Sequence, residues 1–320
     1  MMLLTTLLLL LPIALAAPIP NPKPLFGIHI GEEGDTTDNA PTPVSDDTVT
    51  SQLLRPALFS RLSYCSAPSV TALNCGAPCD AVKEIKVLEA GGDDGAIPGF
   101  FIATDPTTES VVVAHQGTDP TQLVSIANDA QIAQVEMNST LFPKAADGAR
   151  VHEGFQKTQG RTADLVLSTV QSALASTKYN RVLVTGHSLG AAVATLDAHM
   201  LKMNLPSTVE INAVLFGLPR VGNEAFASMT DASFPTFSRI TNQDDPVPIV
   251  PPRFLGYQHP SGEIHITSVD KDSGKATLVA CSGQENENCA EGNSALDGSI
   301  ANHLGPYFND ISFGADACPA

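Results

Sequence analysis

A serine between two glycines is the residue whose surroundings most clearly point to chemistry. Residues 186–190 read Gly-His-Ser-Leu-Gly; they follow a short apolar run and precede an alanine- and leucine-rich stretch. A G-x-S-x-G pattern between a strand and a helix is typical of a nucleophile elbow, where a tight turn presents the serine hydroxyl. A phosphate-binding loop would carry a lysine where Ala191 stands. We therefore predict that Ser188 is a nucleophile, with an ordinary structural turn as the alternative.

A serine nucleophile needs a general base and an acidic group that orients the base. In hydrolases with this strand–serine–helix order, the acid comes next along the chain and the histidine last. Asp245 follows a short predicted strand and is the expected acid. His303 lies after the last predicted strand and is the favoured base. His259, in a turn close behind the acid, and His265, inside a predicted strand, are the alternatives.

An earlier strand is predicted to deliver an oxyanion site. The apolar run 111–114 is followed by a loop that ends in Gly117 and Thr118. The N–H and hydroxyl of Thr118 are expected donors, and the N–H of Leu189, at the start of the helix after the serine, is the other. A plain turn that caps the next helix is the alternative reading of this loop.

The helix after this loop is a predicted lid. Residues 119–120 are Asp-Pro, a favourable helix start, and the apolar residues that follow form one stripe. A short amphipathic helix beside an oxyanion loop can move and expose its apolar face. A surface helix that never opens is the alternative. The stripe consists of Leu123, Val124, Ile126 and Ala127, and the first three are the predicted lid residues.

Predicted strands and helices alternate through the middle of the chain. This alternation predicts an α/β fold with a mostly parallel central sheet and helices on both faces. Two later runs, separated by an Asp-Ser-Gly turn, predict an antiparallel hairpin. The segments are strands at 111–114, 182–184 and 213–216, helices at 163–174 and 189–203, and hairpin strands at 263–266 and 277–279.

Composition excludes several classes of partner. The 320 residues include 17 Lys and Arg against 34 Asp and Glu, a formal charge of -17. Nucleic acid is therefore not an expected partner, because phosphate binding needs clustered basic side chains. The same charge disfavours an anionic membrane surface. A hydrophobic content of 43% is too high for a mainly disordered chain.

The N-terminal part of the chain has the composition of segments that are removed or unfolded. Residues 1–17 hold an apolar run and a small-residue stretch, which predicts a signal peptide and a secreted protein. A membrane anchor is the alternative, but the run falls short of the roughly 20 residues that cross a bilayer. No later segment is apolar enough to span a membrane. Residues 18–50 are predicted to be a Pro-rich acidic lead-in or propeptide, and residues 51–320 a single catalytic domain.

Six cysteines in an exported chain predict disulfides rather than a metal site. Many connectivities are possible, and proximity along the chain favours two short-range pairs with the remaining two cysteines joined over a long range. Asn138 begins an Asn-Ser-Thr sequon and is a predicted glycosylation site. The proximity pairs are Cys75 with Cys79, Cys281 with Cys289, and Cys65 with Cys318.

Four blocks of sequence together resemble a known family. They are residues 186–190, 216–223, 239–248 and 257–259, and their order and spacing extend the resemblance over about residues 55 to 318. The chain resembles the secreted fungal class-three lipases, which have the α/β-hydrolase fold and include fungal feruloyl esterases. The resemblance implies no metal or cofactor. It also implies the triad Ser188, Asp245 and His303, oxyanion donors at Thr118 and Leu189, and a Cys65–Cys318 disulfide.

The function that the resemblance implies is ester hydrolysis through an acyl-enzyme. We expect a triacylglycerol lipase whose acylglycerol substrate lies at a lipid–water interface. A feruloyl or other carboxylesterase of the same fold is the alternative, and a non-catalytic secreted binding protein is a more distant one. The chain differs from many family members at residues 115–116, where they carry an aromatic residue and an arginine, and its predicted lid lacks tryptophan. The Cys281/Cys289 pair is also unlike the best-known members.

Overall fold

The computed structural model describes residues 40–93, 95–118, 132–294 and 298–318. Its strands are β1 (Thr42–Pro43), β2 (Lys86–Gly91), β3 (Phe100–Asp105), β4 (Ser110–His115), β5 (Gln134–Glu136), β6 (Arg150–His152), β7 (Arg181–His187), β8 (Glu210–Phe216), β9 (Ser238–Asn242), β10 (Glu263–Val269) and β11 (Ala276–Cys281). Its α-helices are α1 (Asp46–Thr48), α2 (Leu54–Leu62), α3 (Ala67–Ala72), α4 (Ala77–Asp80), α5 (Glu153–Gly160), α6 (Ala163–Ser176), α7 (Leu189–Asn204), α8 (Glu224–Ser233) and α9 (Ile300–Leu304). A π-helical turn spans Val49–Leu53, and 3-10 turns span Arg253–Leu255, Ala290–Gly292 and Ala315–Ala317.

A nine-stranded sheet forms the centre of the molecule. Its strand order is β1-β11-β10-β9-β8-β7-β4-β3-β2, and β5 and β6 pair separately. Strands β4, β7, β8, β9 and β10 run parallel to one another. The pairs at both edges are antiparallel, including the predicted β10–β11 hairpin. The predicted parallel central sheet is present as the middle five strands of a larger mixed sheet.

Helices cover both faces of the sheet, so alternate residues of one strand enter two different cores. Val182 and Val184 of β7 lie in the core formed with α6 and α7, whereas Leu183 lies in the core formed with α2. A strand that is buried on both faces needs apolar residues at every position. This explains why β7 and β8 are continuous apolar runs in the sequence rather than alternating ones.

The chain is structured upstream of residue 51, where we expected the catalytic domain to begin. Thr42 and Pro43 pair with β11, and Val49 is buried in the same core as α2. Proline is tolerated at this place because β1 lies at the sheet edge, where no further ladder hydrogen bond is required. The predicted signal peptide and residues 18–39 of the predicted lead-in lie outside the described residues.

The six cysteines form three disulfides, in the pairs that proximity suggested. They are Cys65–Cys318, Cys75–Cys79 and Cys281–Cys289. The first joins the segment after α2 to the C-terminal tail across a sequence separation of 253 residues. In a chain-entropy treatment, a loop of this length is worth about 5 kcal/mol of stability.

Over the described ranges, no helix is long and apolar enough to cross a bilayer.

Buried histidines predict a loss of stability in acid. Burial lowers the pKa of His199 to about 3, and burial also lowers that of His152 to about 4. An unfolded histidine titrates near 6.5, so below that pH the unfolded chain binds protons that the folded chain does not. The free energy of unfolding should therefore fall as the pH drops from 6.5 towards 4, by about 1.4 kcal/mol per pH unit for each of these groups. Thermal unfolding at a series of pH values measures this slope.

The variant His199→Leu isolates one of these groups. It removes a titrating ring that packs between Phe226 and Phe234. The free energy of unfolding of the variant should depend less steeply on pH between 6.5 and 4, because one proton fewer is bound on unfolding. Equal slopes in the variant and the parent would show that His199 already titrates normally in the folded protein.

Candidate active site

Ser188 lies in the turn between β7 and α7 with a strained backbone. Its φ of 61° and ψ of -127° are rarely adopted by a residue with a side chain, a strain that costs about 1–3 kcal/mol. The flanking glycines make the turn possible. A Cβ on Gly186 would lie 2.5 Å from the Gly190 carbonyl oxygen, and one on Gly190 would lie 2.3 Å from that of His115. The Ser188 N–H donates to the Phe216 carbonyl at 2.9 Å, which fixes the turn to β8.

Ser188, His303 and Asp245 form one hydrogen-bonded series. Ser188 Oγ lies 2.8 Å from His303 Nε2, and His303 Nδ1 lies 2.8 Å from Asp245 Oδ2. The other carboxylate oxygen of Asp245 accepts the Val247 N–H at 2.8 Å. All three side chains are fully buried. In this arrangement Nδ1–H donates to the carboxylate, which leaves Nε2 free to accept the serine proton.

The two alternative bases lie elsewhere. His259 Nε2 bonds to the Pro248 carbonyl at 2.7 Å, and His265 Nδ1 bonds to Thr241 Oγ1 at 2.8 Å. Burial lowers the pKa of both rings. Neither is hydrogen-bonded to Ser188 or Asp245, so His303 is the histidine of the three that the structure brings to the serine.

The segment that carries His303 is tied to the strand that precedes Asp245. Asn242, the last residue of β9, donates from Nδ2 to the Asn302 carbonyl at 2.7 Å and to the Pro306 carbonyl at 3.1 Å. The Ser299 N–H donates to the Asp244 carbonyl at 2.9 Å. These bonds set the distance between acid and base, although the two residues are far apart in sequence.

His187 and Tyr64 are site residues that the sequence did not reveal. His187 Nε2 donates to the His303 carbonyl at 2.9 Å, while its Nδ1 accepts from Tyr64 Oη at 2.6 Å. The Gly117 N–H donates to the same Tyr64 oxygen at 3.2 Å. Burial, with His303 nearby, holds the pKa of His187 well below its usual range. A neutral His187 therefore links the segment of the base to the loop before Thr118.

Two chain segments that carry the predicted oxyanion residues adjoin Ser188. A Cβ on Gly117 would lie 2.8 Å from Ser188 Cβ, so the chain that leads into Thr118 passes directly against the serine. Leu189 is the first residue of α7. Its N–H belongs to the first turn, whose amides have no partner within the helix. The predicted lid residues Leu123, Val124 and Ile126 lie outside the described residues.

A buried arginine holds the loop that follows Asp245. Arg220 is 1% exposed and donates to the carbonyls of Ile249 and Pro251. Its guanidinium also pairs with Glu285 at 2.8 Å and with Glu291. Burial opposes ionisation of Glu285, but the contact with the Arg220 guanidinium and the nearby charge of Arg239 outweigh it and lower the pKa of this carboxyl. The loop that follows Asp245 is thus held by a buried charge network centred on Arg220.

Gly217→Ala is expected to displace His303. Gly217 has a φ of +55°, and an added Cβ would lie 2.7 Å from His303 Cε1. Misplacement of a catalytic group by about an ångström can cost roughly a hundredfold in rate. We therefore expect kcat to fall by about that factor, measured on a soluble ester.

Gly148→Ala is the matched control. Gly148 has a similar φ of +76°, but an added Cβ would meet nothing within 4 Å. Both variants should lose about 1–2 kcal/mol of stability from the left-handed backbone, and only Gly217→Ala should lose activity. Equal activity in the two variants would mean that His303 tolerates the added methyl group.

Comparison with known proteins identifies the family. Residues 112–255 match the family described as Lipase (class 3). The secreted mono- and diacylglycerol lipase LIP2 of Malassezia restricta is 36% identical over 66% of this chain and 65% of its own length. The secreted mono- and diacylglycerol lipase LIP1 of Malassezia globosa is 31% identical over 91% of this chain and 90% of its own.

Solved structures agree with these relatives. The lipase of Rhizopus microsporus var. chinensis superposes with a TM-score of 0.72 and 27% identity, over 86% of this chain and 91% of that chain. The predicted α/β-hydrolase fold is confirmed by this match, and the predicted export by relatives that are named as secreted proteins. With a relative above 30% identity that is matched over nine-tenths of both chains, this protein belongs to the class 3 lipase family.

Proposed function

We propose that this protein hydrolyses the carboxylic esters of acylglycerols, with Ser188 as nucleophile, His303 as general base and Asp245 as the orienting acid. The observation that carries the proposal is the hydrogen-bonded series from Ser188 Oγ through both ring nitrogens of His303 to Asp245, each contact 2.8 Å long. This series stands at a strained strand-to-helix turn, where a serine is held for attack.

The reaction follows from the positions of these atoms. His303 Nε2 takes the Ser188 proton as Oγ attacks the ester carbonyl carbon, and the N–H groups of Leu189 and Thr118 stabilise the negative oxygen that forms. The intermediate then collapses, and His303 gives its proton to the departing alcohol. Water, deprotonated by His303, attacks the acyl-enzyme in the second half of the cycle. Asp245 stabilises the charged imidazolium in both halves.

Substrate entry requires a movement of the protein. Ser188 and His303 are both fully buried, so an ester reaches them only after a covering segment shifts. We propose that the predicted lid with Leu123, Val124 and Ile126 makes this movement at a lipid–water interface. A neutral acylglycerol surface suits a chain with a formal charge of -17, because it does not repel acidic side chains as an anionic bilayer does.

The names of the relatives favour acylglycerols over feruloyl esters as substrates. LIP2 and LIP1 are both named as mono- and diacylglycerol lipases, whereas the sequence alone led us to expect a triacylglycerol lipase. Initial rates on mono-, di- and triolein, set beside methyl ferulate and a series of acyl esters from short to long chains, separate these substrates. We expect the oleoyl glycerols to be hydrolysed and methyl ferulate to be a poor substrate. A higher rate on methyl ferulate than on every acylglycerol would refute the proposal.

We also propose that Asn138 carries an N-glycan. The residue is exposed and its side-chain oxygen accepts the Thr140 N–H at 2.9 Å, which presents the sequon in a surface turn. Treatment of the secreted protein with a glycosidase should reduce its mass, and Asn138→Gln should abolish the change. A mass that is identical before and after treatment would exclude the glycan.

A further inference from the structure

A second buried histidine–aspartate pair lies behind the active site. His115 Nε2 lies 2.7 Å from Asp197 Oδ2, and Gln159 Nε2 donates to the other oxygen of Asp197 at 2.8 Å. His115 is 3% exposed, and Asp197 and Gln159 are fully buried. Each carboxylate oxygen of Asp197 therefore has a buried hydrogen-bond partner. The proposed reaction uses none of these three side chains.

The pair joins the two elements that supply the oxyanion donors. His115 is the last residue of β4, three residues before Thr118. Asp197 lies on α7, the helix whose first residue is Leu189. The hydrogen bond between them therefore connects the strand that delivers one expected N–H donor to the helix that delivers the other.

The same two elements are also in close backbone contact. An added Cβ on Gly190 would lie 2.3 Å from the His115 carbonyl oxygen and 2.6 Å from that of Gln116. The backbone at the end of β4 thus packs against the first turn of α7. The His115 side chain makes a second contact with the same helix further along, at Asp197. Two separate contacts fix both the distance and the direction of the strand end, which a single contact does not.

We propose that His115 and Asp197 are positioning residues for the oxyanion hole. Their hydrogen bond holds the Thr118 N–H and the Leu189 N–H at the separation that the tetrahedral intermediate needs. This inference rests on the proposed ester hydrolysis. Stabilisation of an oxyanion depends on donors that are already in place when charge develops, so a loosened strand end weakens the transition state more than it weakens substrate binding.

The double variant His115→Phe/Asp197→Leu separates positioning from stability. It replaces the buried pair by apolar side chains, so no charged group of the pair is left unpaired in the core, although Gln159 Nε2 loses its Asp197 partner. The new ring can keep the stacking that His115 makes with Phe100 at 6.1 Å between centroids.

The measurements are kcat and KM on soluble p-nitrophenyl butyrate, the Kd of phenylboronic acid, and the melting temperature. Phenylboronic acid forms a tetrahedral serine adduct whose anionic oxygen requires the oxyanion donors.

We expect the double variant to fold with a modestly lower melting temperature than the parent, because the buried Gln159 amide loses its hydrogen bond to Asp197. Its kcat should fall by about ten- to a hundredfold, its KM should change by less than about threefold, and its boronate Kd should rise by a factor similar to the loss in kcat. His199→Leu is the matched control. His199 is a buried histidine on α7, the helix that also carries Asp197, but its hydrogen-bond partner is Thr230. This control should leave both kcat and the boronate Kd unchanged.

A second pair of variants covers the case in which the double variant does not fold. His115→Gln places an amide N–H near the position of the imidazole Nε2 and should keep kcat within about fivefold of the parent, whereas His115→Asn is too short to reach Asp197 and should lose about tenfold or more. Parent-like kcat and boronate affinity in the folded double variant, or equal activity of the Gln and Asn variants, would overturn the inference. A parent protein that neither hydrolyses the ester nor binds the boronate would instead refute the proposed function.

Discussion

Ser188→Ala is expected to lower kcat for ester hydrolysis by a factor on the order of 10⁴ to 10⁶. Without Oγ no acyl-enzyme can form, and His303 Nε2 loses the hydroxyl that lies 2.8 Å away in the parent. The remaining oxyanion donors accelerate only a direct attack by water, which is far slower. The fold should survive, because the change removes a single oxygen atom from the side chain. Hydrolysis of p-nitrophenyl butyrate by purified protein measures the effect.

Ser168→Ala is the control for this variant. Ser168 lies exposed on α6, and its hydroxyl donates to the Leu165 carbonyl of its own helix at 3.2 Å. The control should retain the activity of the parent, and both variants should unfold at similar temperatures. If Ser188→Ala kept even a tenth of the parent activity, Ser188 could not be the nucleophile.

Asp245→Asn is expected to lower kcat by a factor on the order of 10³ to 10⁴ while the protein stays folded. Asp245 Oδ2 accepts the Nδ1–H of His303, and its Oδ1 accepts the Val247 N–H. An amide can keep the second bond with its oxygen, but it then turns an N–H group towards His303. The imidazole is driven to the wrong tautomer, with its proton on Nε2, and cannot accept the proton of Ser188. KM should change little, since Asp245 is fully buried and acts through His303.

Asp244→Asn provides the comparison for this second variant. Asp244 precedes Asp245 in the chain, and its side chain is exposed. Both substitutions remove one negative charge from the same loop, so any general electrostatic effect on activity is common to the two. Only Asp245→Asn should lose activity. Similar losses in both would assign the effect to the charge of the loop rather than to the orientation of His303.

Local sequence patterns predicted much of this structure because they reflect local constraints. The buried runs at 111–114, 182–184 and 213–216 lie in β4, β7 and β8, where helices on both faces require apolar residues throughout. The position of Ser188 was predictable for a similar reason. This strained turn requires glycine two residues before and two residues after the serine, because a side chain there would clash with nearby backbone atoms. The requirement is visible within five consecutive residues of the sequence.

Other parts of the site depend on contacts between distant segments and leave no local pattern. Tyr64 reaches His187 across 123 residues of sequence, and His115 reaches Asp197 across 82. His187 is a variable position of the serine motif, so its type alone did not suggest a role. The buried polar partners of such residues are set by how helices and strands pack, which composition and spacing do not encode. The strand Thr42–Pro43 has no local signal in the sequence, because a two-residue edge strand has no periodicity.

The central claim is that Ser188 attacks an acyl carbon with the help of His303, and covalent trapping tests it most directly. The full-length secreted protein is treated with a fluorophosphonate, and the modified residue is located by peptide mass mapping. We predict one adduct per chain, on Ser188, with complete loss of ester hydrolysis and no labelling of the Ser188→Ala variant. Undiminished hydrolysis by protein whose Ser188 is fully labelled, or an inhibiting adduct on another residue, would contradict the assignment.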